Sequence, residues 1–275
     1  MNHFTKFHSL LFLALVGLIG FSCNSEDDAP AVADTSIVVE VSQVNQKFED
    51  LDNLTLAVLE STGLGARKSN TAAGDFCAST EVTTNSEQKL ITVDFGAGCE
   101  SPNGVTRKGK FTIAYSGNLL VPGANIVTTF DGYEVNGYKI EGTRTITNTK
   151  LDIFTSTITL AVKIENGKVT FPDGKFVTIN TDEIREITLG SAGYEAKLTG
   201  TANGKSLEGN DYTATVTESL IISQSCLESG IYSPSSGQIQ FTYKGASMTL
   251  DYGSGECDKA GTITYPGGTK DITFD

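Results

Sequence analysis

The chain has 275 residues, with 33 Asp and Glu against 20 Lys and Arg and a formal net charge of −13 at pH 7. That balance excludes nucleic acid as a partner, because such binding rests on Lys and Arg neutralising phosphates. Tryptophan is absent, and both histidines, His3 and His8, fall within the first ten residues.

Residues 1–22 carry one basic side chain, Lys6, then an apolar run from Leu10, then small residues before Cys23. This is the layout of a secretory signal peptide, and the run is shorter than the roughly 20 residues that a spanning helix needs. Gly20-Phe21-Ser22-Cys23 resembles the lipobox of bacterial lipoproteins, with bulky Phe21 where that family has a small or β-branched residue. The resemblance implies that Cys23 is lipidated and becomes the new N-terminus. Glu26-Asp27-Asp28 resembles the acidic export tag of Gram-negative lipoproteins, which implies an outer-membrane anchor facing the cell exterior. Several acyl chains, each contributing about 0.8 kcal/mol per buried methylene, would make attachment effectively permanent. If residues 1–22 are removed, both histidines leave with them.

Residues 23–36 read as the lipidated cysteine and an acidic tether, rich in Ala and Asp and without apolar periodicity. Thirteen flexible residues span about 20 Å on average. Residues 37–65 then carry Ile37, Val41, Val44, Phe48, Leu51 and Val58 at helical spacing, one face of an amphipathic helix. Gly63 or Gly65 is expected to end it, while the β-branched opening Ile37-Val38-Val39 also suits a short strand.

Residues 66–275 are expected to form a single β domain. From Gly74 onward the period is two: Ile158, Leu160, Val162 and Ile164 alternate with polar or small residues, as do Ile239, Phe241 and Tyr243. Turns are expected at Asn136-Gly137, Asn166-Gly167, Asp173-Gly174, Asn203-Gly204 and Gly209-Asn210. The expected class is all-β and antiparallel with one N-terminal amphipathic helix. A large curved sheet, a partly open barrel and a β-sandwich all satisfy the alternation.

An internal duplication is the most specific signal. Ile91-Thr-Val-Asp94-Phe95-Gly96-Ala-Gly98-Cys99 returns as Met248-Thr-Leu-Asp251-Tyr252-Gly253-Ser-Gly255-Glu-Cys257. Cys77 precedes the first copy and Cys226 the second, so the parallel layout favours Cys77–Cys99 and Cys226–Cys257 among three possible connectivities. The repeated Asp-aromatic-Gly-x-Gly loop has two readings. Its carboxylate caps backbone N–H groups in a sharp turn, or Asp94 with Glu100, and Asp251 with Glu256 and Asp258, offer oxygen ligands to a cation.

Cys77, the Asp94 loop, Gly104-x-x-Arg107-x-Gly109-Lys110, Glu141-Gly142-Thr143 and the Asp251 loop together resemble a group of uncharacterised secreted bacterial lipoproteins. That resemblance supports reading the disulfide loops as framework and implies no activity.

Without histidine, residues 23–275 can build no Ser-His-Asp triad and none of the common histidine-based zinc sites. Paired cysteines leave no thiolate nucleophile. No cofactor and no metal is expected. The expected function is a non-catalytic binding or structural module, attached to the membrane at Cys23 and meeting a protein or glycan partner that the residues do not identify. Two alternatives are a carrier of lipid or another amphipathic ligand in a half-open barrel, and a glycan hydrolase using paired carboxylates.

Overall fold

A computed structural model describes residues 33–64, 76–191, 193–229 and 231–274. Cys23, Glu26, Asp27 and Asp28 lie outside the described residues. Helix α1 spans Ser36–Ser61. The strands follow as β1 (Glu81–Asn85), β2 (Leu90–Asp94), β3 (Cys99–Glu100), β4 (Thr106–Tyr115), β5 (Asn125–Val135), β6 (Tyr138–Asp152) and β7 (Thr157–Thr170). Next are β8 (Phe176–Gly190), β9 (Gly193–Lys205), β10 (Asp211–Ser223), the short helix α2 (Gln224–Glu228), and β11 (Ser236–Tyr243). Then come β12 (Ala246–Ser254), β13 (Ala260–Tyr265) and β14 (Gly268–Thr273). All fourteen strands form one open antiparallel sheet in chain order, with β3 paired to β4 beside that path.

The sheet is therefore a single curved layer, and the two-sheet sandwich is not formed. One face is wet, where Thr83, Thr92, Thr112, Thr129 and Thr143 stand in register across β1, β2, β4, β5 and β6. The other face packs on α1. The helix buries Ile37, Val38, Val41, Val44, Phe48, Leu51, Leu54, Val58 and Leu59, more of its circumference than the six-residue stripe requires. Tertiary burial overrides the strand propensity of its β-branched opening. Its end is a Schellman motif: Leu64 N–H donates to Leu59 O and Gly63 N–H to Glu60 O, with Gly63 at φ +75°.

Three of the expected turns are hairpins: Asn136-Gly137 joins β5 to β6, Asp173-Gly174 joins β7 to β8, and Gly209-Asn210 joins β9 to β10. The other two lie inside strands. Asn166-Gly167 sits within β7 at a register shift between Ile164 and Gly167, so both residues still face the core. Asn203-Gly204 continues the β8–β9 ladder, where a Cβ on Gly204 would stand 1.9 Å from Thr178 O. Asn-Gly marks a tight backbone approach as readily as a turn, and short-range sequence does not separate the two. Register shifts interrupt every ladder from β4–β5 to β7–β8 and again from β9–β10 to β11–β12. Bulges bend strands and increase twist, which lets the sheet curl around a helix.

The poles of this half-barrel differ. Lys244, in the β11–β12 turn, bonds Asp34, and Leu207 N–H in the β9–β10 turn donates to Glu40, so the chain enters α1 at the pole carrying these turns. Leu119 N–H in the β4–β5 loop donates to Leu64 O at the opposite, far pole. A 26-residue helix separates them, about 39 Å at 1.5 Å per residue.

Gly204→Ala should lower stability by about 1–3 kcal/mol, since its methyl meets a fixed carbonyl. Gly117→Ala, with open space around it, should be near neutral. Urea unfolding of both variants checks the contrast.

Candidate functional site

The apolar stripe of α1 is interrupted by acids, and strands supply their partners. Asp52 follows Phe48 by one turn and so falls on the buried face. It accepts from Arg144 Nε at 2.6 Å and from Arg144 Nη2, and its Oδ2 also meets Arg185 Nη1 at 3.0 Å. Glu49 is held bidentately by Arg185, at 2.7 and 3.1 Å. Glu183 meets the same guanidinium at 2.9 Å, and Asp50 accepts from Arg107 at 2.6 Å. Arg107, Arg144 and Arg185 sit on β4, β6 and β8, so alternate strands supply the partners of Asp50, Asp52 and Glu49. The Arg144 guanidinium also lies 5.6 Å over the Phe48 ring.

Burial pushes the Glu49 carboxyl up from the usual glutamate range, against the pull of Arg185. For Arg185, burial opposes the charge, yet Glu49, Glu183 and Asp52 outweigh it and hold the guanidinium well above its ordinary value. Burial raises the Tyr133 phenol far above the ordinary tyrosine range, against the pull of the nearby Arg107 guanidinium.

Beside this network α1 parts from the sheet. A cleft of about 100 Å³ lies between the helix and strands β9–β12. Leu198, Leu220, Ile239, Tyr252 and Phe274 form its apolar floor, each 7–8 % exposed, whereas Ile91, Val93, Phe111 and Ile113 are 0 % exposed. Ser42, Asn45, Gln46, Glu49 and Glu183 make its polar side, and Tyr232, 55 % exposed, stands at the far pole. Glu49 and Glu183 are the carboxylate pair facing this space, and both are bound to Arg185 Nη2, so the guanidinium occupies the place of a scissile bond. The volume is well under the roughly 300–1,000 Å³ of small-molecule sites.

The far pole also carries apolar loop tips. Val121 in the β4–β5 loop, Ile153 and Phe154 in the β6–β7 loop and Leu189 near the end of β8 are 58 %, 73 %, 95 % and 64 % exposed.

The duplicated element resolves into framework. Cys77–Cys99 and Cys226–Cys257 are disulfide-bonded. Asp94 accepts from Gly96 N–H at 2.7 Å and Asp251 from Gly253 N–H at 2.8 Å, the same turn in both copies. The second Asp251 oxygen accepts from Gln238 at 3.0 Å, and Asp258 accepts from Ala260 N–H. Phe95 and Tyr252 enter the core. Among the described residues no group of three or more His, Cys, Asp or Glu is arranged to hold a metal ion.

Sequence reasoning missed the arginines and the cleft. A signal existed for the first: Arg144 and Arg185 share strand parity with buried Ile146 and half-buried Ile187, and Asp52 lies on the apolar helical stripe. The cleft depends on how far α1 stands from four strands, which no local pattern records. No protein-family model, curated protein or solved structure matches this chain.

Arg144→Met should cost about 3–5 kcal/mol, because it leaves Asp52 short of its main buried partner. Adding Asp52→Leu should recover part of that loss, since Arg185 keeps Glu49 and Glu183. Strictly additive losses in denaturant unfolding would contradict the pairing. Burial also raises Tyr212 and Tyr252 far above the tyrosine range. A phenol with a raised folded pKa holds its proton more tightly when folded, so its contribution is complete below about pH 10 and is lost as pH rises beyond it. Alkaline titration should show Tyr133, Tyr212 and Tyr252 appearing as tyrosinate only in one cooperative step with unfolding.

Proposed function

We propose that this protein is a lipid-tethered, outer-membrane binding or structural module that does no chemistry of its own and meets its partner through the far pole. The observation that carries the reading is that α1 lies along the concave face, held there by the Asp50–Arg107, Asp52–Arg144 and Glu49–Arg185 pairs. The interior that a carrier would offer to an acyl chain is taken up by the chain's own helix, and the cleft left beside it is small. Recognition then falls to outer surfaces, and the far pole concentrates the exposed Ile153, Phe154 and Leu189. Apolar residues grouped at one pole suit contact with another protein better than a solvated glycan.

Attachment through Cys23 and display through Glu26-Asp27-Asp28 complete the proposal. Among the described residues no helix is long and apolar enough to cross a membrane, so the anchor in this reading is the lipid. In this reading the tether joins the domain at the pole carrying Asp34.

Cys23→Ala should leave an uncleaved precursor or release the protein from membranes, and fractionation that finds the mature chain still membrane-bound refutes the lipid assignment. Protease treatment of intact cells should digest the domain. Complete protection until the outer membrane is broken would place it in the periplasm.

A further inference from the structure

The two edges of the open sheet are built differently. At one edge, β14 turns Lys270 to the concave side, in register with buried Ile263. An inward-pointing charge is a device that keeps a foreign strand from adding to a sheet. At the other edge, β1 has no such device. Glu81–Asn85 holds no Lys, Pro or Gly, and its register with β2, like that of β2 with β4, runs without a shift. Val82 stands beside buried Val93 on the concave side, yet it is 43 % exposed. Among the described residues no strand pairs with the outer side of β1, so every second residue of it turns N–H and C=O outward.

Backbone and charge together say what fits this edge. Outward N–H and C=O groups at strand spacing are matched by an extended polypeptide, which adds as a further strand. On the wet face Glu81 and Asp94 are directly opposed in register, and neither has an ion-pair partner among the described residues. The neighbouring cations are taken: Lys110, in register with Asp94, meets Asp131 at 3.1 Å, and Lys89 Nζ donates to Ser116 O at 3.1 Å. Like charges directly opposed across strands are destabilising, and an opposite charge alongside is favourable. A Lys or Arg on the incoming strand, opposite Glu81, therefore supplies what the sheet lacks. The β1 of a second copy has no cation to offer. The edge is also fixed before docking, because Cys77, just ahead of β1, is bonded to Cys99 beside β4. A preorganised surface loses little freedom on binding.

We propose that β1 is a docking edge for an extended segment of another protein, added antiparallel, with a Lys or Arg opposite Glu81 and an apolar residue covering Val82. Backbone hydrogen bonds to β1 supply the affinity, and the two side chains facing Glu81 and Val82 supply the choice of partner. This edge is separate from the far pole, and the proposal stands whether or not that pole binds anything.

The test follows the fluorescence anisotropy of a labelled, end-blocked peptide, Ser-Thr-Val-Thr-Val-Lys-Ser, titrated with the purified full chain at low salt. Antiparallel addition sets its Lys opposite Glu81 and the adjoining Val opposite Val82. The expected result is saturable binding, weakened about fivefold or more when the peptide Lys is replaced by Glu. Glu81→Lys in the protein should reverse that preference, and Lys270→Glu, at the other edge, should leave it unchanged. N-methylation of the peptide at both valines, or instead at the threonines and the lysine, should abolish binding in one case and spare it in the other, because only alternate N–H groups face β1. No saturable binding, equal loss from both methylated peptides, a preference unmoved by Glu81→Lys, or an equal effect from Lys270→Glu would each overturn the proposal. So would a dimer of the chain alone that Val82→Lys dissolves, since β1 would then pair with its own copy. Glu81 is exposed, so an unchanged melting temperature of Glu81→Lys separates altered docking from lost folding.

Discussion

The structure depends on the contact between α1 and the concave face of the sheet. Fourteen strands in one open layer present an apolar face that must be covered, and among the described residues α1 is the long element placed to cover it. Apolar packing alone would tolerate a slide of the helix by one turn, about 5.4 Å. The ion pairs do not. Moving α1 would strand Asp52 and Arg144 as buried, unpaired charges, at a cost of several kcal/mol. The network therefore acts chiefly as a specificity device that sets the register of helix on sheet, with the dispersion and hydrophobic terms supplying the stability.

That register shapes the surface. The helix runs from the turns after β9 and β11 toward the β4–β5 loop, crossing the strands obliquely. It packs closely where Arg107, Arg144 and Arg185 draw it in, and it parts from β9–β12 where no arginine reaches it. The cleft is thus a consequence of where the charges end. The same obliquity leaves the inward-facing ends of β6 to β8 beyond the helix, where Leu151 and Leu189 remain exposed. Cover at one side of the sheet and exposure at the other have one cause.

The two disulfides and the paired Asp loops sit apart from this, toward the sheet's first and last strands. Each bridge closes a loop of 22 or 31 residues, worth about 3–4 kcal/mol in the chain-entropy model. An open sheet has two free edges prone to fraying or mispairing. Pinning the segments near β3 and β13 restrains both without closing the barrel.

The all-β class, the helix, the disulfide pairing and the turn role of Asp94 and Asp251 were legible in the sequence, because each depends on spacing within a short window. Period two in β7, period 3.6 in α1 and the duplicated Asp-aromatic-Gly-x-Gly string are all local. Asn166-Gly167 and Asn203-Gly204 misled, because the same dipeptide serves a hairpin and a bulge, and the choice depends on the neighbouring strand. Sandwich or single sheet, the pairing of Asp52 with Arg144 across 92 residues, and the cleft beside α1 were decided only by the tertiary structure. Those depend on distances between elements far apart in the chain, and periodicity carries the direction of a side chain without naming what it will meet.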